Sequence, residues 1–335
     1  MAGLVAAARA RELGADPIVL EKGDGPGGSM LLSSGFVWRY RSLDDFRAEC
    51  PGGDPVLQRL IVDRLDADLE WLEALGAPVV ERETGNPRTV GMRFDTRGLT
   101  DVLARDVRLE RPREADGPLI LATGGFPARL ARERGLLLRA NRWSEGDGLR
   151  QALSREAEVA GDLDEFYGRA MPAPPARIGE QDFVRLSQLY GRFAEIVSEN
   201  GEERFEGEPS WSEADVVQAI ARWPGGRAWY RVPDEHLNER VRERTVSDMI
   251  ESARAAGAVV RDEPGYTSVL VQASVTQTLG GLRIDERARV VGVDGLYAAG
   301  ADAGGISGGG WSSGLAAALV FGRIAAEEAL SSGSA

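Results

Sequence analysis

The stretch from Gly295 to Arg323, GLYAAGADAGGISGGGWSSGLAAALVFGR, constrains the fold most. Glycines crowd a short segment that runs without a break into an apolar helix, expected over Gly314 to Leu330. Glycine in such numbers weakens regular structure, so its use there calls for close approach of something to the backbone. A helix tip without bulky side chains can also turn its first N–H groups towards an anionic or electron-rich edge. LYAAG just upstream reads as a short buried strand. The pattern predicts strand, glycine turn and helix in sequence, the grammar of an α/β sheet.

Residues 3–13 (GLVAAARAREL) predict a helix opening at Gly3. PIVLEK (17–22) then reads as a strand ending in Glu21 and Lys22. A helix, a second strand and an acidic residue form the back half of a dinucleotide-binding βαβ unit, where the acid meets the ribose hydroxyls. The front half, a first strand and two glycines, is not in the sequence. GPGGSMLLSSGF follows directly, with hydroxyls at Ser29, Ser33 and Ser34. PLILATGGF (118–126) predicts a buried strand closing on glycines, and EGDG (145–148) a turn carrying Asp147. A helix is expected over 54–77, capped by Asp54, with Pro55 in its first turn and Gly76 as its stop.

The remaining composition mainly excludes. With 40 basic and 53 acidic residues the formal charge is −13, which disfavours nucleic acid as a partner. Cys50 is the sole cysteine and His236 the sole histidine, so no internal disulfide, cysteine zinc site or histidine triad can form within the chain. No run approaches the roughly 20 apolar residues of a membrane span. MAGLVAAARARELGA reads as an amphipathic helix rather than a signal peptide, and a cytoplasmic location is expected.

Taken in order, AGLVAAARARELGADPIVLEK, GPGGSMLLSSGF, LILATGGF, EGDG, NGEERFEGE, TLGGLRID and the C-terminal stretch resemble the flavoprotein family of succinate dehydrogenase, fumarate reductase and ketosteroid Δ1-dehydrogenase. The resemblance covers most of the chain. It implies α/β architecture: a Rossmann-like FAD-binding domain, incomplete at its N-terminus, over 1–126 and 263–335, and an inserted capping domain of α+β type over 127–262, read as mostly helical. It implies FAD as cofactor. Gly3, Glu21, Lys22 and Asp147 would belong to its binding surface, with Glu21 on the adenosine ribose. Gly28, Ser29, Ser34 and Gly35 would lie along the pyrophosphate and flavin, and Thr123 and Gly124 near the adenosine half. Gly300 and Asp302 would meet the ribityl chain. Ser313, Gly314 and Leu315 would face the pyrimidine end of the ring, for which the glycines leave room.

The chain departs from the family at its chemistry. Gln277 stands where dicarboxylate members place histidine, and Trp311 or its neighbours where they place arginine. Without those cations a succinate- or fumarate-like dianion loses its anchors. The expected activity is therefore an FAD-dependent dehydrogenase or reductase acting on a carbon–carbon bond beside a carbonyl. Its small-molecule substrate would be neutral or apolar, and the sequence does not identify its electron acceptor. Tyr266, in a position like that of an active-site tyrosine of steroid dehydrogenases, and Arg231 are the candidates for proton handling. The passages from LTDVLARD to RPREADGPLI and from AGAVVRDE to PGYTSVLVQ are shorter than the family's. The alternative is thus a shortened, non-catalytic relative that binds FAD poorly or not at all.

Overall fold

The computed structural model describes residues 1–110 and 117–331. The shortened junction around RPREADG therefore lies largely outside the described residues. The chain divides into two compact units: 1–127, 141–165 and 277–335 form the first, and 128–140 with 166–276 the second.

In the first unit the helix Ala2–Glu12 packs along the last helix, Gly314–Ser331. Small side chains allow this closeness. Ala6, Ala10 and Ala326 form one buried cluster with Ala15, Ile120 and Leu330. A Cβ on Gly322 would come within 2.8 Å of the Ala2 carbonyl oxygen. A third helix, Pro55–Ala74, buries Leu57, Ile61, Leu65, Leu69 and Leu72, a stripe at i+4 and i+3 spacing. The Asp54 carboxylate accepts the N–H groups of Val56 (2.8 Å) and Leu57 (3.2 Å), and Pro55 occupies the first turn. The helix stops at Gly76, whose φ of +93° few other residues adopt. All three boundary signals act where the sequence predicts.

The strands of this unit form separate pieces. Val19–Glu21 runs parallel to Val107–Leu109, and Leu119–Leu121 parallel to Leu296–Ala298. No ladder joins the two ribbons among the described residues. The helix Ala2–Glu12 lies against the inner strand of each, Val19–Glu21 and Leu119–Leu121. Phe36–Tyr40, Thr89–Phe94 and Val79–Glu81 make a three-stranded antiparallel sheet.

The second unit is built on a six-stranded sheet, which corrects the expectation of a mostly helical segment. Its spine is the strand Tyr266–Thr278. Arg227–Pro233 and Val260–Glu263 pair with it antiparallel, Leu137–Leu138 parallel, and Phe166–Pro172 pairs with it as well. Val197, Trp229, Leu270 and Ala173 supply β-branched and large apolar packing around this sheet. The helices Ala214–Arg222 and Val246–Ala255 are the unit's main helical elements. Residues 141–165 fall with the first unit and 263–276 with the second.

Candidate functional site

The carboxyl ends of the parallel strands gather most of the residues singled out from the sequence. Glu21 ends its strand half-buried, and its Oε1 accepts the Gly23 N–H at 2.7 Å. Lys22 forms an ion pair with Asp147, which also pairs with Arg150 at the start of the helix Asp147–Leu153. Gly3 lets the first helix approach the end of the neighbouring ribbon, since a Cβ there would stand 3.2 Å from that of Ala122. This is the close helix–strand packing for which dinucleotide folds use glycine.

At the end of the second ribbon, Asp302 is fully buried. Its Oδ1 accepts the Thr123 hydroxyl at 2.7 Å and its Oδ2 the Gly124 N–H at 2.9 Å. The Thr123 oxygen in turn accepts the Gly148 N–H at 3.2 Å. Burial pushes the Asp302 carboxyl up, against the pull of those hydrogen bonds. Asp302 thus knits together the strand ends at Thr123 and Gly300. Its oxygens are engaged by protein donors, so its expected contact with a ribityl chain has no such support. A Cβ on Gly300 would stand 3.1 Å from that of Ala2.

The serine–glycine loop wraps the same region. The Ser29 hydroxyl accepts the Asn141 N–H at 3.0 Å, and the Ser34 carbonyl accepts from Arg93 at 3.1 Å. Gly35 is buried at φ +80°, and a Cβ there would overlap the Phe94 carbonyl oxygen.

The glycine run before the last helix has a different cause from the one expected. Cβ atoms on Gly304 and Gly310 would overlap the backbones of Gly281 and Glu49. Gly308 packs on Gly52, whose N–H donates to it at 2.9 Å, and Asp54 N–H donates to Gly305 at 2.7 Å. These glycines serve chain-on-chain packing. The cavity beside them has a volume of about 10 Å³, room for a single water and not for a tricyclic ring. Thr278 Oγ1 lines it without a hydrogen-bond partner among the described residues. Glu165, which sequence reasoning missed, braces the loop by accepting the Gly309 N–H at 2.7 Å, and burial pushes its carboxyl up. Nothing local in the sequence signals that pairing across 144 positions.

The tip of the last helix keeps the property that matters. Ser313 caps it, its Oγ accepting the Ala316 N–H at 3.2 Å and its carbonyl the Ala317 N–H at 3.2 Å. The N–H groups of Gly314 and Leu315 have no acceptor among the described residues. The side chain of Gln277 lies directly against Gly314. Two unclaimed donors at a helix N-terminus suit the electron-rich edge of a flavin, and Glu21 suits a ribose. FAD is compatible with this donor set, with Asp302 excepted.

Tyr266 and Arg231 are neighbours. They stack in the second unit, with the guanidinium 5.4 Å from the ring centre, and Arg231 is ion-paired with Glu195 at 2.6 Å. Tyr266 is 38% exposed and stands at the opposite end of its strand from Thr276. Ten residues of strand separate them, about 33 Å.

The family described as "FAD binding domain" matches residues 1–109 and, overlapping, 99–314. No curated protein matches the chain in sequence. Among solved structures, a flavocytochrome c3 fumarate reductase is 21% identical with a TM-score of 0.69, and the match covers 98% of this chain and 76% of that one. A 3-ketosteroid-Δ4-(5α)-dehydrogenase from Rhodococcus jostii RHA1 is 17% identical with a TM-score of 0.71, covering 98% and 94%. A 3-ketosteroid Δ1-dehydrogenase from Sterolibacterium denitrificans is 15% identical with a TM-score of 0.67, covering 98% and 97%. At these identities the likeness establishes the fold. No helix among the described residues is long and apolar enough to cross a membrane.

Proposed function

We propose that this chain, which belongs to the FAD binding domain family and is an FAD-dependent oxidoreductase, adds or removes hydrogen at a carbon–carbon bond next to a carbonyl. The substrate in this reading is a neutral or apolar small molecule rather than a dicarboxylate. One observation carries it. The residues gathered at the tip of the last helix, among them Gln277, Thr278, Ser307, Ser312 and Gly314, are all uncharged. A dianion brought there would lose its hydration without gaining a cation, a cost of several kcal/mol. The Gln277 amide instead donates a neutral hydrogen bond, which matches a ketone oxygen.

When bound, FAD supplies the hydride chemistry. The chain's own part is to hold and orient: Gly314 and Leu315 offer N–H groups to the flavin edge, Glu21 accepts from the ribose, and Ser313 fixes the helix tip that carries the donors. The steroid complexed with the Rhodococcus dehydrogenase, 4-androstene-3,17-dione, is a suitable first probe. The FAD-loaded protein is assayed anaerobically with an artificial electron mediator, against that steroid, other neutral enones, succinate and fumarate. Turnover confined to neutral ketones is expected; comparable turnover of either dicarboxylate would refute the reading.

One observation favours the alternative of a scaffold that holds FAD poorly. Among the described residues the strands Val19–Glu21 and Leu119–Leu121 are each paired on one side only. A colourless protein that gains no stability on adding FAD would support it.

A further inference from the structure

We propose that Arg139, Arg169 and Arg242 of the second unit form a binding site for a small-molecule oxyanion, a carboxylate or phosphate group. The backbone brings the first two together. Arg139 directly follows the short strand that runs parallel to Ser274–Val275, and its N–H donates to the Val275 carbonyl at 2.9 Å. Arg169 lies on the strand Phe166–Pro172. Its N–H donates to the Ser274 hydroxyl at 3.3 Å, and that hydroxyl donates back to the Arg169 carbonyl at 2.8 Å. Both arginines thus attach to adjacent residues of one strand. Arg242 stands at the tip of the hairpin Arg240–Val241/Arg244–Thr245. Arg244 ties that hairpin to the carbonyls of Arg185 and Ser187, and the next residue, Gln188, donates to the Ala170 carbonyl at 2.9 Å, beside Arg169.

Among the described residues the three charges lack matching counter-charge. Arg139 donates only to neutral acceptors, the Phe183 carbonyl at 3.2 Å and the Thr276 hydroxyl at 3.3 Å. Arg169 donates to the Ser212 carbonyl at 2.5 Å and lies 5.1 Å from the centre of the Tyr167 ring. The carboxylate within its field is Glu213, which is buried and has one oxygen occupied by the Gly191 N–H at 2.8 Å. Glu243 follows Arg242 in the hairpin turn. Burial, and then the repulsion of Arg169 and Arg242 set against Tyr167, pulls the Arg139 guanidinium down to about 10. Like charges gathered where two of them are partly or wholly shielded from water are unfavourable unless an anion joins them. Guanidinium forks match the paired oxygens of carboxylates and phosphates. Arg242 is exposed, Arg139 half-buried and Arg169 buried, so the charge leads inward from solvent. The site lies wholly in the second unit and does not depend on the reaction proposed above.

The test uses the full chain loaded with FAD. Inorganic phosphate and acetate are each titrated calorimetrically, replacing chloride at constant ionic strength. Saturable one-to-one binding of at least one of them is expected, and the tighter of the two identifies the group. Arg242→Gln and Arg139→Gln should each weaken it tenfold or more. Because Arg242 is exposed, its variant keeps the fold and decides the matter should Arg139→Gln fail to fold. Absence of saturable binding by both anions, or unchanged affinity in Arg242→Gln, overturns the site.

Discussion

Glu213 offers the sharpest test of the physical reasoning. It is 6% exposed, its Oε1 holds the Gly191 N–H at 2.8 Å, and its Oε2 has no partner among the described residues. Burial pushes its carboxyl from the ordinary 4.5 up to about 7, with Arg169 and the Gly191 N–H opposing the rise and Asp215 adding to it. Below about 4.5 both folded and unfolded chains are protonated there, and the residue costs nothing. Between about 4.5 and 7 the unfolded chain releases the proton while the folded one keeps it, so stability falls as pH rises, and it levels off above 7. The gap of about 2.5 units corresponds to about 3 kcal/mol. Glu213→Gln removes the titration. Its amide leaves a polar atom unmatched at every pH, an offset that cancels when two pH values are compared. Urea denaturation at pH 5 and pH 8 should therefore show wild type losing about 2.5 kcal/mol more than the variant over that interval, on the order of 4 °C in Tm. Parallel pH courses for the two proteins would show that this carboxyl is not buried as described.

Three further outcomes follow from packing and charge. Gly35→Ala forces a Cβ onto the Phe94 carbonyl at positive φ, and urea midpoints should fall by about 2–4 kcal/mol of stability. Arg323→Gln strips the counter-ion from buried Asp68 and should cost about 3–5 kcal/mol, most of it recovered when Asp68→Asn is added. Cys50 is buried, and burial pushes its thiol up to about 12, so a thiol reagent at pH 8 should label it only once denaturant unfolds the chain.

Local chemistry was legible in the sequence, and distant partnership was not. Asp54, Pro55 and Gly76 bound their helix because cap, first turn and stop are set by neighbouring residues. The strand Tyr266–Thr278 escaped recognition as one element. Residues 267–275 are all buried, so covered faces leave no alternation of polar and apolar positions to read. Some of its polar groups pair with remote ones: Gln272 donates to the Gly135 carbonyl at 2.9 Å, and Ser274 bonds to Arg169. The glycines near the last helix were visible, but glycine alone does not say whether ligand or chain comes close. At Gly304 and Gly310 it is the chain. The bonds of Asp302 to Thr123 and Gly124 likewise span some 180 positions, which nothing local signals.

The split between the two parallel ribbons bears on cooperativity. A continuous sheet spreads order sideways, each strand protecting the next. With no shared ladder, the two ribbons should surrender their amide protons to heavy water as separate groups, each at its own opening free energy. The helix Ala2–Glu12, lying against both, is their common wall. A substitution that frays it should deprotect the two groups together.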